Sequence, residues 1–289
     1  MPEMPQMQAL AERLDAALAG TVLVGADLLG FASLKTAEPP PDVLVGRRLD
    51  GVGRRGKFAL LVFGGGFRVA LHLSQAGRVD LEEPPKTTRP RGALARLTFG
   101  REAATEAAAR RGEVAVLLRE HGTQRKAGWW VLAPGDEGPL GALGPEADSP
   151  EFAERLAEER SGRRLYTWLR DQRVVAGIGR GYADDAMHRA QVSPFASVGS
   201  LDARTRERLL DAVREVLAEG LAAERTRTGG LSAPRLGEHF RIHGRVGTPC
   251  PRCGSPIRRV SFDTYEVAYC TCQTAGAVLA DRRLSRLLR

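Results

Sequence analysis

Three glycines at alternate positions, Gly177, Gly179 and Gly181, constrain this chain more than any other feature. Each would cost about 1 kcal/mol relative to alanine inside a helix, so together they predict a tight turn. Helix-compatible sequence flanks the turn, over 165–171 and again over 182–190. The turn therefore opens onto a helix N-terminus, whose outward-pointing backbone N–H groups would form a phosphate cradle. A plain connection between two core helices is the alternative.

The charge balance favours nucleic acid as the source of that phosphate. The chain has 43 lysines and arginines against 35 acidic residues, for a formal net charge of +8. Arginine dominates the basic residues, which suits phosphate binding, although an arginine-rich genome would produce the same bias. Such a charge attracts the polyanionic backbone of a nucleic acid. The sequence has neither a long apolar run nor a signal-peptide pattern, so we expect a cytoplasmic, nucleoid-associated protein with no membrane partner.

The first half of the chain is dominated by β-sheet patterning. It begins with an amphipathic helix, predicted over 8–19 by leucines at four-residue spacing. From 21 to about 132, short apolar runs are divided by glycines, a pattern typical of a β-sandwich or barrel. Residues 133–150 are rich in proline, glycine and acidic side chains and predict an interdomain linker.

The second half is predominantly helical and ends in a cysteine-containing module. Ser149 is a good N-cap, and a long helix is expected from Leu201 to about Glu224. Residues 225–247 are irregular, and all four cysteines follow between 250 and 272. Their confinement to one module favours a metal site in a reducing compartment over a disulfide scaffold.

The cysteines have the layout of a zinc ribbon, Cys250-x2-Cys253-x16-Cys270-x-Cys272. Two thiolate pairs on two hairpin turns would close one tetrahedron around Zn²⁺. Four thiolates leave no open coordination position, so this zinc would be structural and not catalytic. Free thiols that lie close together by coincidence are the alternative.

The N-terminus offers a nucleophile of an unusual kind. If Met1 is removed, Pro2 exposes a secondary amine that is partly unprotonated at neutral pH. Such an amine can attack an aldehyde-like carbon and form an iminium ion. Glu3 beside it is a candidate acid and base.

These features together resemble the Fpg/Nei family of bifunctional DNA glycosylases, and the resemblance covers nearly the full chain. The matching segments occur in the family's order and spacing: Pro2-Glu3, Arg54-Arg55-Gly56-Lys57, the turn 177–186 with Ser193-Pro194, and Tyr269-Cys270-Thr271-Cys272-Gln273. The glycine turn looks like the family's helix–two-turn–helix (H2TH) motif. The fold class expected is α+β multidomain, with a leading helix on an N-terminal β-sandwich, a helical H2TH domain and a C-terminal zinc ribbon. The expected bounds are 1–135, a linker 136–150, 151–244 and 245–289.

The resemblance implies a role for each matching residue. Pro2 would attack C1′ of the damaged nucleotide and hold the sugar as a Schiff base, and Glu3 would move protons. Lys57 would reach the phosphate beside the lesion; alternatively, it is a solvated hairpin tip. His72 would contact phosphate, or else serve as an ordinary strand histidine. Gly179 belongs to the turn that grips another phosphate.

Several positions depart from the family pattern. Gln6 stands where the family usually has a second glutamate, and Gln75 replaces an intercalating methionine. Arg119 and His121 align with an arginine and phenylalanine wedge, of which only the arginine is kept. Arg180 replaces an asparagine that grips phosphate, and arginine can still bind phosphate there with different geometry.

The C-terminal region departs most. Tyr265 falls near the position of a family arginine at the ribbon's hairpin tip. It would stack on a sugar or base, or simply pack against the surface. The segment 225–243 is shorter than the loop that caps 8-oxoguanine in Fpg, which argues against that lesion as the main substrate. The main substrate could then be an oxidised pyrimidine, another lesion or an abasic site alone, and the sequence leaves this choice open.

We therefore expect a base-excision-repair DNA glycosylase with AP lyase activity, which binds damaged or abasic double-stranded DNA as a monomer and carries one structural zinc. A scaffold that binds damaged DNA without excising the base is the second hypothesis. A zinc-ribbon regulatory protein is the third, although no recognition helix is evident. The lesion, the opposite-base preference and the choice between β- and β,δ-elimination are left open by the sequence.

Overall fold

The computed structural model describes residues 1–100, 113–122, 126–232, 239–262 and 265–279. The chain divides into two compact units. The first comprises Met1–Gly141 together with Glu224–Leu236, and the second comprises Ala142–Ala223 together with Gly237–Arg289. Each is described by itself.

The first unit begins with helix α1, Met4–Leu18, which starts earlier than the predicted 8–19. The prediction rested on leucine spacing and did not include the capping box formed by Glu3 and Gln6. Pro5 is compatible with this start because proline is tolerated in the first turn of a helix, where backbone N–H groups have no intrahelical acceptor.

Eight strands follow among the described residues of the first unit: β1 Val22–Leu28, β2 Leu49–Arg55, β3 Phe58–Phe63, β4 Phe67–His72, β5 Gly77–Glu82, β6 Ala93–Gly100, β7 Val114–Glu120 and β8 Gly128–Leu132. They form two antiparallel sheets, ordered β1-β6-β7-β5 and β2-β3-β4-β8. One apolar core joins side chains of both sheets and α1, among them Leu14, Phe63, Phe99 and Trp129. The predicted β-sandwich with a leading helix is confirmed.

The second unit contains the helices α2 Pro150–Glu158, α3 Leu165–Arg170 and α4 Arg180–Arg189, most of α5 Ala203–Thr226, and the hairpin of β9 Arg258–Ser261 and β10 Glu266–Tyr269. The expected N-cap at Ser149 is present, since its Oγ accepts the N–H of Phe152 at 3.4 Å. The last residues of α5, from Glu224, belong to the first unit. Among the residues described, no helix combines the length and apolar character needed to cross a membrane.

The stretch predicted as a linker has internal structure. Gly138–Leu140 forms a 3-10 turn, and the side chains of Leu140 and Ala147 are buried. Apolar contacts therefore hold parts of this acidic segment in place. The domain bounds proposed from the sequence stay predictions.

Candidate functional site

The N-cap of α1 fixes the residue that follows Pro2. The Glu3 backbone is extended, with φ −113° and ψ −174°, and its N–H donates to Gln6 Oε1 at 3.1 Å. Only 2% of Glu3 is exposed. Because residues 3 and 6 cap each other, the position of the candidate acid and base is set by the helix and not by a mobile terminus.

The Gln6 side chain also reaches the end of α5. Its Nε2 donates to Glu224 Oε1 at 3.4 Å, and both side chains are buried. The other carboxylate oxygen of Glu224 accepts from Arg227 Nε at 3.0 Å. Sequence reasoning did not identify Glu224, because nothing in its local pattern signals a partner 218 residues away.

Lys57 and His72 share a site with the chain's amino terminus. Lys57 lies in the β2–β3 turn and is 5% exposed, so the alternative of a solvated hairpin tip is wrong. His72 pairs across the sheet with Phe58, and the two rings lie 4.9 Å apart. Burial, and then the positive charges of Lys57 and the terminal amine, lower the pKa of His72 to about 4. His72 is therefore a neutral imidazole at pH 7.

Gln75, Arg119 and His121 lie at neighbouring positions on one end of a sheet. Gln75 is exposed in the β4–β5 turn, and the His121 N–H donates to the backbone oxygen of Ala76 at 3.0 Å. Arg119 Nε donates to Asp80 Oδ2 at 2.7 Å. The structure thus brings the three residues aligned with the family's wedge to neighbouring positions: Gln75 and His121 lie outside the strands, and Arg119 lies near the end of β7 in a partly exposed ion pair.

The predicted glycine turn opens onto α4, with Gly179 as its N-cap and Arg180 as its first residue. Gly177 has φ +99°, a conformation that favours glycine. Its N–H donates to Gln172 Oε1 at 3.0 Å, so this amide is not available as an outward-pointing donor, in contrast to our expectation. Gln172 Nε2 also donates to the Ile178 oxygen at 2.7 Å and thereby braces the turn.

Arg180 is half-buried at a helix start whose first turn carries no acidic residue. Positive charge and the positive end of the helix dipole coincide there, an arrangement that favours an anion. The local electrostatics are consistent with the predicted phosphate contact at Gly179 and Arg180.

Tyr265 packs in an aromatic cluster within the second unit. Its ring stacks on Phe262 at 4.6 Å, its hydroxyl lies 3.3 Å from that of Tyr166, and the Arg170 guanidinium lies 4.5 Å from its centroid. Burial and the neighbouring Tyr166 raise the pKa of Tyr265. These contacts support the alternative that Tyr265 packs against the protein surface, and a role for Tyr265 in DNA binding stays a prediction.

Two neighbouring carboxylates of α4 tie the helix to the C-terminal segment. Asp185 accepts the backbone N–H groups of Arg241, Ile242 and His243 at 2.6–3.1 Å. Asp184 Oδ2 lies 2.8 Å from His243 Nδ1, and its burial raises the pKa of this carboxyl to about 6. Sequence reasoning identified neither role.

The four cysteine sulfurs of the second unit lie within 4.8 Å of one another. Zinc with four thiolates at about 2.3 Å places sulfurs roughly 3.8 Å apart, so the cluster fits one tetrahedral ion. His188 Nε2 lies 3.2 Å from Cys250 Sγ and 3.8 Å from Cys272 Sγ, on the helix side of the cluster. The predicted ligands Cys250, Cys253, Cys270 and Cys272 are thus together in space.

Comparison with known proteins connects both units to one family. The Formamidopyrimidine-DNA glycosylase N-terminal domain matches residues 1–114, and the Formamidopyrimidine-DNA glycosylase H2TH domain matches 142–230. A formamidopyrimidine-DNA glycosylase of Chloroflexus aggregans is 31% identical over 286 residues, which span 94% of this chain and 98% of the relative. The chain belongs to the Fpg/Nei family.

Other members of the Fpg/Nei family match to different extents. An uncharacterized formamidopyrimidine-DNA glycosylase-like protein of Mycobacterium tuberculosis is 43% identical over 155 residues, covering 51% of this chain and 95% of that protein. The crystal structure of MutM (Fpg) from Thermus thermophilus matches with a TM-score of 0.76 at 29% identity, covering 94% of this chain and 99% of that one. Lactococcus lactis Fpg in complex with DNA containing an abasic site matches with a TM-score of 0.77 at 20% identity, covering 94% and 98%.

Proposed function

We propose that this member of the Fpg/Nei family is a bifunctional DNA glycosylase and AP lyase of base-excision repair. One observation supports the proposal: the positive charges of the buried Lys57 and of the terminal amine both lower the pKa of His72, so these three groups of the first unit lie near one another. Schiff-base chemistry on a deoxyribose requires an amine nucleophile and an acid and base, which Pro2 and Glu3 would supply, and Lys57 would bind the adjoining phosphate. Relatives along nearly the full chain are named formamidopyrimidine-DNA glycosylases.

In the proposed reaction, the Pro2 nitrogen of the chain without Met1 attacks C1′ of a flipped nucleotide. The bond from C1′ to the base breaks, the base leaves with that electron pair, and it takes up the proton that the Pro2 nitrogen releases. Opening of the C1′–O4′ bond then forms the iminium ion, and Glu3 gives its proton to O4′. Loss of a C2′ proton expels the 3′ phosphate and cuts the strand.

The remaining side chains of the first unit would hold the DNA around this centre. Lys57 supplies a positive charge for the phosphate beside the lesion, and His72 acts as a neutral N–H donor because its pKa is low. Gln75, Arg119 and His121 would fill the gap left by the flipped nucleotide, whose extraction costs a few kcal/mol.

In the second unit we assign phosphate binding to Gly179 and Arg180, and stacking on the DNA to Tyr265. The protein would act as a monomer in the cytoplasm, at the nucleoid. Its partner would be double-stranded DNA with damaged bases or abasic sites; the L. lactis relative is seen in complex with DNA that contains an abasic site.

We assign one structural Zn²⁺ to the four cysteines. A closed thiolate tetrahedron offers no open position, so the ion would stabilise the ribbon and take no part in the reaction. Metal analysis of purified protein should find one zinc per chain, and Cys253→Ser should remove it. A metal content far below one per chain would contradict the assignment.

Borohydride trapping on duplex DNA with a single abasic site tests the proposal. Untagged protein whose mass confirms a free Pro2 should form a covalent adduct, and Pro2→Gly should reduce trapping while DNA affinity is kept. Absence of an adduct with wild-type protein would favour the second hypothesis, a protein that binds damaged DNA without cleaving it.

A further inference from the structure

The two ends of the Gln6 side-chain amide bond to different residues. Its Oε1 accepts the backbone N–H of Glu3 at 3.1 Å, and its Nε2 donates to Glu224 Oε1 at 3.4 Å. The amide provides an acceptor on one side and a donor on the other, which an ionised carboxylate of the same shape does not. Gln6 therefore connects the Glu3 backbone to the carboxylate of Glu224.

Glu224 itself is firmly held. Its side chain is 4% exposed and paired with Arg227, and its backbone oxygen accepts from Arg13 of α1. Arg13 also donates to the backbone oxygen of Leu231 at 3.1 Å. A buried carboxylate with these partners has little freedom to turn, so it can set the orientation of the amide that donates to it.

A glutamate at position 6 would not fit beside Glu224. Two carboxylates about 3.4 Å apart in a buried site repel each other, and one of them must take up a proton. Glutamine at 6 and glutamate at 224 are therefore complementary. The presence of Glu224 explains why position 6 is glutamine and not the family's glutamate. The glutamine is therefore not a sign that the site has lost its catalytic residues.

We propose that Glu224 is a positioning residue of the catalytic centre, which acts through Gln6 to hold the backbone of Glu3 and, with it, the adjoining Pro2. This inference rests on the proposed function for its catalytic consequence. Displacement of the nucleophile should lower the reaction rate and leave DNA affinity unchanged, because attack depends more strongly on exact geometry than binding does.

The fold supplies a matched control. Glu12 of α1 accepts two hydrogen bonds from Arg225, at 2.9 and 2.7 Å, so it too ties α1 to the first-unit segment that begins at Glu224. Glu12 is more exposed, and none of these hydrogen bonds involves Glu3. Loss of Glu12 therefore reports the effect of loosening α1 from this segment alone.

The experiment measures single-turnover trapping on abasic DNA and, separately, DNA affinity. Glu224→Ala should slow trapping by about 10- to 100-fold with affinity kept, whereas Glu12→Ala should stay within about twofold of wild type. Glu224→Gln should retain most of the rate, because its amide oxygen can still accept from Gln6. Equal losses in Glu224→Ala and Glu12→Ala would overturn the proposal.

An exchange of the two residues adds a pH-dependent test. Gln6→Glu alone should trap slowly at neutral pH, and its rate relative to wild type should rise as pH falls, because one carboxylate then takes up a proton and donates to the other. The double variant Gln6→Glu/Glu224→Gln restores one amide and one carboxylate and should recover trapping. A double variant as slow as Gln6→Glu would contradict the complementary pairing.

Hydrogen exchange separates this inference from the proposed function. Glu224→Ala should lose protection of the Glu3 amide, and Glu12→Ala should keep it. If wild-type protein forms no adduct, the proposed function fails while this measurement still decides whether Glu224 holds Glu3. If wild type is trapped and Glu3 protection is the same in both variants, the positioning role alone fails. Thermal unfolding of each variant identifies any that do not fold.

Discussion

Gly181 on α4 offers a prediction whose size follows from the structure. A Cβ built there would lie 2.5 Å from Cζ and 2.8 Å from Cε1 of Phe240. Ordinary carbon contacts begin near 3.5 Å, so the ring would have to move by ~1 Å. Phe240 is 3% exposed and its ring lies 4.9 Å from Tyr182 and 4.3 Å from His239, which leaves it little room.

Gly181→Ala should therefore destabilise the protein despite the higher helix propensity of alanine. Overpacking of this kind costs about 1–3 kcal/mol. The gain in propensity is at most about 1 kcal/mol. With the full propensity gain subtracted, we expect a net loss of up to about 2 kcal/mol in the free energy of unfolding, measured by urea denaturation.

A double-mutant cycle with Phe240→Leu isolates the contact. Leucine lacks the ring atoms nearest to the added Cβ, so Gly181→Ala should be neutral or stabilising in that background. The coupling energy between the two positions should equal the overpacking cost of about 1–3 kcal/mol, because the propensity gain is the same in both backgrounds. The same cost in both backgrounds, or a stabilised Gly181→Ala single variant, would refute the reasoning.

Three further predictions concern charge and metal. Lys57→Ala should lower the slope of log affinity against log salt by about 1 and raise the pKa of His72 measured by NMR; an unchanged slope would mean that Lys57 contacts no phosphate. Burial raises the pKa of Asp184 from 3.8 in the unfolded chain to about 6 in the folded protein, so between these pH values the folded protein binds a proton that the unfolded chain does not. The stability that this proton contributes is complete below pH 3.8 and is lost as pH rises to about 6. Asp184→Asn should remove that slope from the unfolding free energy; an unaltered slope would assign it to other groups. His188→Ala should weaken zinc binding in a chelator competition, since it lies against two of the cysteine sulfurs, and an unchanged affinity would count against this contact.

The parts of the fold that the sequence predicted are those with a local signal. Alternate glycines indicated the start of α4, Ser149 indicated the start of α2, and the cysteine spacing indicated the cluster that the structure brings together. Each depends on residues close together in the chain. The start of α1 had such a signal too, in Glu3 and Gln6, but the leucine spacing alone was used.

The rest depended on contacts between distant segments. Lys57 has the neighbours of an exposed hairpin turn, and its burial follows only from the assembled sandwich. The Gln6–Glu224 and Asp185–Ile242 hydrogen bonds join residues far apart in sequence. In the sequence alone, a carboxylate that the fold buries, such as Glu224, cannot be distinguished from a carboxylate on an exposed helix surface.

The first unit is built from two segments that lie far apart in the chain, and this affects the order in which its contacts can form during synthesis. Arg13 bonds to Leu231, and the Val79 N–H donates to Ser232 Oγ, so these bonds need residues made about 90 positions after Gly141. At about 5–20 residues per second, the ribosome reaches them roughly 5–20 s later. During that interval α1 and β5 lack these two hydrogen bonds. A fragment ending at Gly141 would lack them permanently, so a fragment that keeps them needs the segment from Glu224 supplied as well.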